Sequence, residues 1–276
     1  LTLLHAVILG FIQGVAEFLP ISSSGHLVIF QNLLGLTNGE EYVLFDILLH
    51  IGTLVSVIFF YWKDIISLIS AFFGMVRDML KGEFNLDKNA ARRFVILIVV
   101  ATVPLVLALL FKSKIEQIFS SVAFVGGSLI LTGIILLLTD KLQNGSTDQG
   151  NTHYKNAFIV GCFQLMAILP GVSRSGSTIF GGMLVGMKKE FAVKFSLILS
   201  IVAIIGAAAS SVPDIIGGNV LAVDPLTCII AMAVSAVSGI FAIKFLVKML
   251  NKGKFKYFAY YCFTVSAIVL IKSLVG

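Results

Sequence analysis

The chain has 276 residues, 58% of them hydrophobic and only 12% charged, with a mean hydropathy of +1.03 and a formal net charge of +6. A soluble domain carries about twice that charged fraction, so composition excludes a soluble enzyme and leaves an all-α polytopic membrane protein. Apolar stretches run through the whole length, which leaves no room for a second, soluble domain. The positive charge reads as the lysine and arginine excess of cytoplasmic loops. No basic helix or aromatic–basic motif stands outside those loops, so no nucleic-acid partner is expected.

In chain order, Leu3–Leu19 is an apolar helix that stops at Pro20. It lacks the basic start of a cleavable signal peptide. Apolar residues resume over Leu27–Leu36, too few to span a bilayer that needs roughly 20. A long arm, a polar break and a half-length arm predict a re-entrant hairpin, a shape that survives at membrane depth only when buried in protein or lining a wet cavity. The linker Thr37–Tyr42 carries Glu40 and Glu41 and no basic residue. Val43–Trp62 is a full span, ending on the interface anchors Tyr61 and Trp62. Lys63–Arg93 mixes a weaker apolar stretch, Ile65–Met79, with six basic residues, and predicts an amphipathic surface helix. Phe94–Phe111, interrupted by Pro104, and Phe119–Leu138 are spans. Asp140–Asn156 is polar and is expected to be a mobile linker.

The pattern then restarts. Ala157–Leu169 is an apolar arm, Pro170–Thr178 a polar knot and Ile179–Met187 a short arm. Phe195–Val212, Leu226–Leu246 and Tyr257–Ile271 with its flanks are spans, separated by the basic-free loop Pro213–Pro225 and by the five lysines of Lys244–Lys256. Cys162, Cys228 and Cys262 all lie in apolar runs without metal spacing and read as packing residues.

One membrane domain over residues 1–276 therefore divides into a first repeat at about 1–139, a polar linker at about 140–156 and a second repeat at about 157–276. Each half is one hairpin plus three spans. A hairpin returns to its own side and three spans change sides, so the second half starts on the opposite face: an inverted-topology repeat. The positive-inside rule puts Lys63–Arg93, Asp140–Asn156, Lys188–Lys194 and Lys244–Lys256 in the cytoplasm and the two basic-free loops outside. Both termini fall outside too. Lys112 and Lys114 also fall outside, against the rule. The first hairpin dips in from outside and the second from the cytoplasm, so their tips meet near the midplane.

The chemistry gathers in the two knots. Gln13, Ala16, Leu19-Pro20 and a Ser/Gly cluster recur in order as Gln164, Ala167, Leu169-Pro170 and a second Ser/Gly cluster, with a one-residue gap before the proline. Glu17 is a carboxylate in an apolar segment, a functional position by default. Gln13, four residues earlier, shares its helical face. Together they can polarise a water or hold a divalent cation, Mg2+ or Ca2+; one carboxylate plus waters and substrate phosphates suits magnesium. Ser22, Ser23, Ser24 and Gly25 offer hydroxyls and backbone N–H groups at the start of the short helix, an anion site. Simple helix capping accounts for one serine, not three with His26 behind them. Arg174, between two serines, demands an anion, and its planar fork suits phosphate. Ser173, Ser175, Gly176, Ser177 and Thr178 surround it with hydroxyls and N–H groups. His5 and His153 lack such company. His50 sits near Asp46 in a span, and the sequence leaves open whether it serves the site or the fold.

A nucleophile, a carboxylate and a phosphate clamp in a membrane point to phosphoryl transfer on a lipid. The chain resembles the undecaprenyl-pyrophosphate phosphatases of the bacitracin-resistance family. The resemblance rests on Gln13-Gly-Val-Ala-Glu17-Phe-Leu-Pro-Ile-Ser-Ser-Ser-Gly-His26, on Pro170-Gly171-Val172-Ser173-Arg174-Ser175-Gly176, and on the membrane pattern end to end. It implies removal of one phosphate from undecaprenyl pyrophosphate, a divalent-cation requirement, and bacitracin resistance on overexpression. It also implies residence in the bacterial cytoplasmic membrane. Many members have glutamate where this chain has Gln13; an amide can ligate a cation but adds no charge, so the two-carboxylate pair is absent. Ser23, or water in its place, is the expected nucleophile, with His26 as acid–base partner and Glu17 orienting it or holding the cation. His26 as the nucleophile stays open. Expected partners are the polyprenyl lipid substrate, the surrounding membrane lipids and, left open by the sequence, a second copy in a homodimer.

Two other readings compete. Inverted repeats with broken helices are also transporter features, so a transporter or flippase of a phosphorylated lipid is the main alternative. Ser24-Gly25-His26 and Ser173-Arg174 also resemble pieces of the phosphatidate-phosphatase family, whose distal histidine and upstream Lys…Arg-Pro are missing here.

Overall fold

A computed structural model describes residues 1–36, 42–83, 85, 89–107, 121–210, 223–251 and 253–275. Among the described residues there are eleven helices: α1 (Leu3–Phe18), α2 (Ser23–Leu33), α3 (Val43–Phe60), α4 (Trp62–Leu80), α5 (Ala90–Val106), α6 (Val122–Lys141), α7 (Tyr154–Met166), α8 (Arg174–Leu184), α9 (Lys189–Ser210), α10 (Pro225–Asn251) and α11 (Lys256–Val275). Five of them, α3, α6, α9, α10 and α11, are long and apolar enough to cross a membrane. The chain is a multi-pass membrane protein. Large apolar side chains such as Phe11, Phe59, Phe73, Phe241 and Ile268 lie on its outer surface, where lipid tails replace water as their surroundings.

Both expected helix breaks form, each a helix, a turn and a short helix. The turn after α1 follows from Pro20, which cannot continue a helix; α2 then restarts at Ser23. In the second half, α7 ends at Met166 and α8 restarts at Arg174. The expected span Phe94–Phe111 is represented by α5, seventeen residues long with Pro104 inside it; residues 108–111 lie outside the described residues. So do Thr37–Glu41, Lys112, Lys114 and residues 213–222, on which the outer-loop assignment leans.

Close packing is built on small residues. A Cβ on Gly10 would come within 2.5 Å of the Ala231 carbonyl, and one on Gly14 would meet Ser235 and Ser238. Gly52 approaches Met232 equally closely. Hydroxyls complete this α1–α3–α10 junction: Ser235 Oγ donates to Leu49 O at 3.0 Å and Ser56 Oγ to Ala236 O at 2.7 Å. In an apolar solvent no hydrophobic force drives helices together, so backbone approach and interhelical hydrogen bonds take that role. α7 packs on α5 by the same device, with Gly161 against the Ala101 carbonyl and Pro104. α11 lies along α6, joined by Ser266 Oγ donating to Gly126 O at 2.7 Å.

α4 is amphipathic, as expected of Lys63–Arg93, and is not apolar enough to span. It is fixed to α5 by a buried ion pair, Arg92 Nη2 to Asp78 Oδ2 at 2.7 Å. The segment expected to be a mobile linker is held down instead. The N–H groups of Ser146 and Thr147 donate to Gly186 O at 3.0 and 3.1 Å, and Lys188 N donates back to Thr147 O at 2.9 Å. Asp140, still within α6, accepts from Phe255 N and Lys256 N at the start of α11. The Gly150 N–H and the Lys188 ammonium hold the exposed Asp148 carboxyl below its usual range. The polar residues that suggested looseness are the ones making these bonds. Cys228 and Cys262 are buried as expected, but Cys162 is exposed on α7 and is not a packing residue.

Candidate active site

The two hairpin tips meet. A Cβ on Gly25 would lie 3.0 Å from Gly171 Cα, and one on Gly176 would lie 3.3 Å from Pro20 Cβ. Only glycine lets the backbones approach so closely. Gly171 also has φ +93°, a left-handed conformation that favours glycine.

Each short helix begins with the same cap. Ser22 Oγ accepts from Gly25 N at 3.2 Å, and Ser173 Oγ accepts from Gly176 N at 3.1 Å. Ser24 and Ser175 lie 3.3 Å, Oγ to Oγ, from these caps. In this register Ser23 and Arg174 occupy the same position of their hairpins, and both reach one carboxylate. Glu17 Oε2 accepts from Ser23 Oγ at 2.6 Å and from Gln13 Nε2 at 2.9 Å. Glu17 Oε1 pairs with Arg174 Nη2 across 157 residues of sequence. The Glu17 side chain is 3% exposed, so its charge is bearable only because these donors surround it.

Some groups in this cluster keep capacity for a ligand. Arg174 Nη1 and Gln13 Oε1 are buried without a hydrogen-bond partner among the described residues. So are Ser177 Oγ and Oε1 of Gln164, the counterpart of Gln13. A buried guanidinium N–H and a buried amide oxygen left bare are costly unless something else meets them. Ser23 and Ser24 are only half-buried, and the Arg174 side chain is 20% exposed, so the cluster is reachable.

Ser22 has φ +72°, the only such non-glycine value among the described residues. Backbone strain of this kind amounts to about 1–3 kcal/mol and collects at functional sites. The turn is held by His26, whose backbone N and Nδ1 both face the Ser22 carbonyl, at 3.1 and 2.8 Å. Its Nε2 meets Tyr261 Oη at 2.8 Å. His26 therefore belongs to the site, but Ser23 bonds to Glu17 rather than to it. Ser175 Oγ donates to Leu19 O at 3.3 Å and ties the second tip to the first. Thr178 points elsewhere: its hydroxyl bonds the Arg174 carbonyl and Ser196 of α9.

Three contributors stand outside the two motifs. Thr132 Oγ1 donates to Gly171 O at 2.8 Å and accepts from Ser173 N at 3.0 Å, fixing the second tip from α6. His50 Nε2 lies 3.7 Å from Glu17 Oε2 while its Nδ1 meets the Asp46 carbonyl at 2.7 Å; the histidine left open by the sequence faces the site. Tyr261 lies in the last expected span, Tyr257–Ile271, close to Tyr257 and Tyr260, and no local signal in the sequence marks it out.

Comparison with known proteins covers nearly the whole chain. The family model of the bacitracin resistance protein BacA matches residues 6–268. The chain is 43% identical to the undecaprenyl-diphosphatase of Alkaliphilus metalliredigens over 99% of its length and 100% of the relative's. It is 41% identical to that of Methanosphaera stadtmanae, over 100% and 99% of the two chains. It is 40% identical to that of Halothermothrix orenii, over 96% of each.

Proposed function

The chain belongs to the bacitracin resistance protein BacA family, and on that footing we propose that it is an undecaprenyl-diphosphatase of the bacterial cytoplasmic membrane. It hydrolyses undecaprenyl pyrophosphate to undecaprenyl phosphate and inorganic phosphate, returning the carrier lipid to peptidoglycan and wall-polymer synthesis. The name of the family ties this activity to bacitracin resistance. The observation that carries this reading is the junction at Glu17: a serine from one hairpin and an arginine from the other share one buried carboxylate, and the arginine keeps a bare Nη1.

The substrate's terminal phosphate sits between the N–H groups that open α2 and α8, with Arg174 Nη1 on a phosphate oxygen. Ser23 Oγ attacks the phosphorus as its proton passes to Glu17 Oε2, 2.6 Å away. The bond to the bridging oxygen breaks and undecaprenyl phosphate leaves. Water then displaces the phosphate from Ser23, which recovers its proton from Glu17. An unaided serine is a weak nucleophile and needs an adjacent base; the geometry favours Glu17 over His26 for that task.

Gln13 Oε1, buried and bare beside Glu17, fits a divalent cation, Mg2+ or Ca2+, held by this amide and the carboxylate. No group of three His, Cys, Asp or Glu occurs among the described residues, so such an ion would be completed by waters and substrate phosphates. When bound it would offset the charge of the diphosphate.

The halves form an inverted repeat. Three observations support it: the matched Ser22–Gly25 and Ser173–Gly176 caps, α1 packing on α10 where α7 packs on α5, and α6 and α11 pairing with each other. The site opens to the outer face, from which the first hairpin enters.

Two measurements test the reading. Purified protein should release phosphate from undecaprenyl pyrophosphate, lose that activity to chelator and regain it with Mg2+ or Ca2+. Binding without release would leave the transporter reading standing. Acid-quenched enzyme that has turned over substrate labelled in its terminal phosphate should carry acid-stable, alkali-labile label that Ser23→Ala abolishes. Acid-labile label retained in Ser23→Ala would make His26 the nucleophile, and no label would favour direct attack by water.

A further inference from the structure

We infer that Tyr261 is a positioning residue of the phosphatase site, acting through His26 on the turn that presents Ser23. The inference rests on the activity proposed above. His26 is 3% exposed and is held at both ring nitrogens. Nδ1 lies 2.8 Å from the Ser22 carbonyl, which can only accept, so Nδ1 carries the proton. Nε2 is then bare and accepts from Tyr261 Oη at 2.8 Å. The two rings are nearly parallel, 11° apart with centroids 5.5 Å apart, so the bond fixes the imidazole plane as well as its tautomer.

What His26 braces is the strained part of the site. Its Nδ1–H and its backbone N–H converge on the carbonyl of Ser22, the residue at φ +72°. That residue caps Gly25 N through its side chain and precedes the Ser23 that bonds Glu17. A chain of bonds runs from the Tyr261 hydroxyl through the imidazole to the backbone of the nucleophile turn. Tyr261 stands on α11, the last helix of the second half, and grips the first hairpin. Thr132 on α6, the last helix of the first half, grips the second hairpin. Each tip is thus steadied by the closing helix of the other half's partner pair.

The test uses the full chain in nanodiscs. Tyr261→Phe keeps the ring and removes the hydroxyl. It should lower kcat about tenfold, the effect of one hydrogen bond of ordinary strength, and leave KM within about twofold because no substrate contact is lost. Tyr260→Phe, one residue away and exposed, is the control and should match wild type. The second readout is independent of turnover. In 15N-histidine spectra, with His26 assigned by its loss in His26→Gln, wild type should show the Nδ1–H tautomer and Tyr261→Phe a mixture. Unchanged kcat, an equal loss in Tyr260→Phe, or an Nε2–H tautomer for His26 in wild type would each overturn the inference. If Tyr261→Phe does not yield folded protein, the wild-type tautomer decides by itself. Absence of phosphate release by wild type would instead fault the proposed activity.

Discussion

At the scale of single residues, the site depends on Glu17 holding donors from both hairpins at once. Arg174 is the member that most needs its own chemistry. One of its terminal nitrogens meets Glu17 Oε1 and the other is bare. Lysine keeps the charge but has a single nitrogen and cannot span carboxylate and phosphate together. Arg174→Lys should therefore cost about 2–3 kcal/mol of transition-state stabilisation, roughly a hundredfold in kcat/KM. Steady-state phosphate release measures it, and near-wild-type turnover would reduce Arg174 to a countercharge. Glu17, Ser23 and Arg174 were all legible in the sequence because polar groups in an apolar run stand out. Their pairing was not. The sequence suggested Ser23 with His26, three residues on; the folded turn instead directs Ser23 six residues back, to Glu17.

At the scale of elements, the tip of the second hairpin is a turn with its backbone buried, and buried N–H and C=O groups must find partners. Thr132 serves two of them with one hydroxyl, Gly171 O and Ser173 N. Thr132→Val preserves shape and leaves both unpaired. About 1–3 kcal/mol per unsatisfied group is the usual scale, so the variant should unfold in detergent at a temperature several degrees lower and lose activity. Equal melting temperatures would show that the turn finds other partners. A second element-scale prediction concerns α1. Gly14→Val would drive a branched side chain into Ser235 and Ser238 of α10, and overpacking of this kind typically costs about 1–3 kcal/mol. A thermal scan should show the loss, and an unchanged midpoint would mean that α1 and α10 part without cost.

At the scale of the whole molecule, the proposed inverted repeat makes a claim about sides. If the first hairpin enters from outside, residues 37–41, which lie outside the described residues, face the exterior. A single cysteine at Asn38 in a variant lacking Cys162, Cys228 and Cys262 should react with a membrane-impermeant maleimide in intact cells. Labelling only after permeabilisation would reverse the orientation and put the site's entrance on the cytoplasmic side.

The sequence by itself determined the class of protein, both broken helices and the identities of the residues at their tips. These are properties of composition and of short periods along the chain: an apolar run has a length, a proline ends a helix, and a charge in lipid is conspicuous whatever surrounds it. Tertiary structure alone decided which of these groups share a hydrogen bond or an ion pair. Glu17 and Arg174 lie 157 residues apart, His26 and Tyr261 lie 235 apart, and no local pattern encodes such a meeting. Nor could local polarity tell that residues 144–148 are tied to 186–189, since asparagine, threonine and aspartate look alike whether their partners are water or a neighbouring loop. The physical reason is the same in each case. Hydrogen bonds and ion pairs act over a few ångströms in space, and it is the packing of small residues on α1, α3 and α10 and of α6 on α11 that decides which atoms come within that reach.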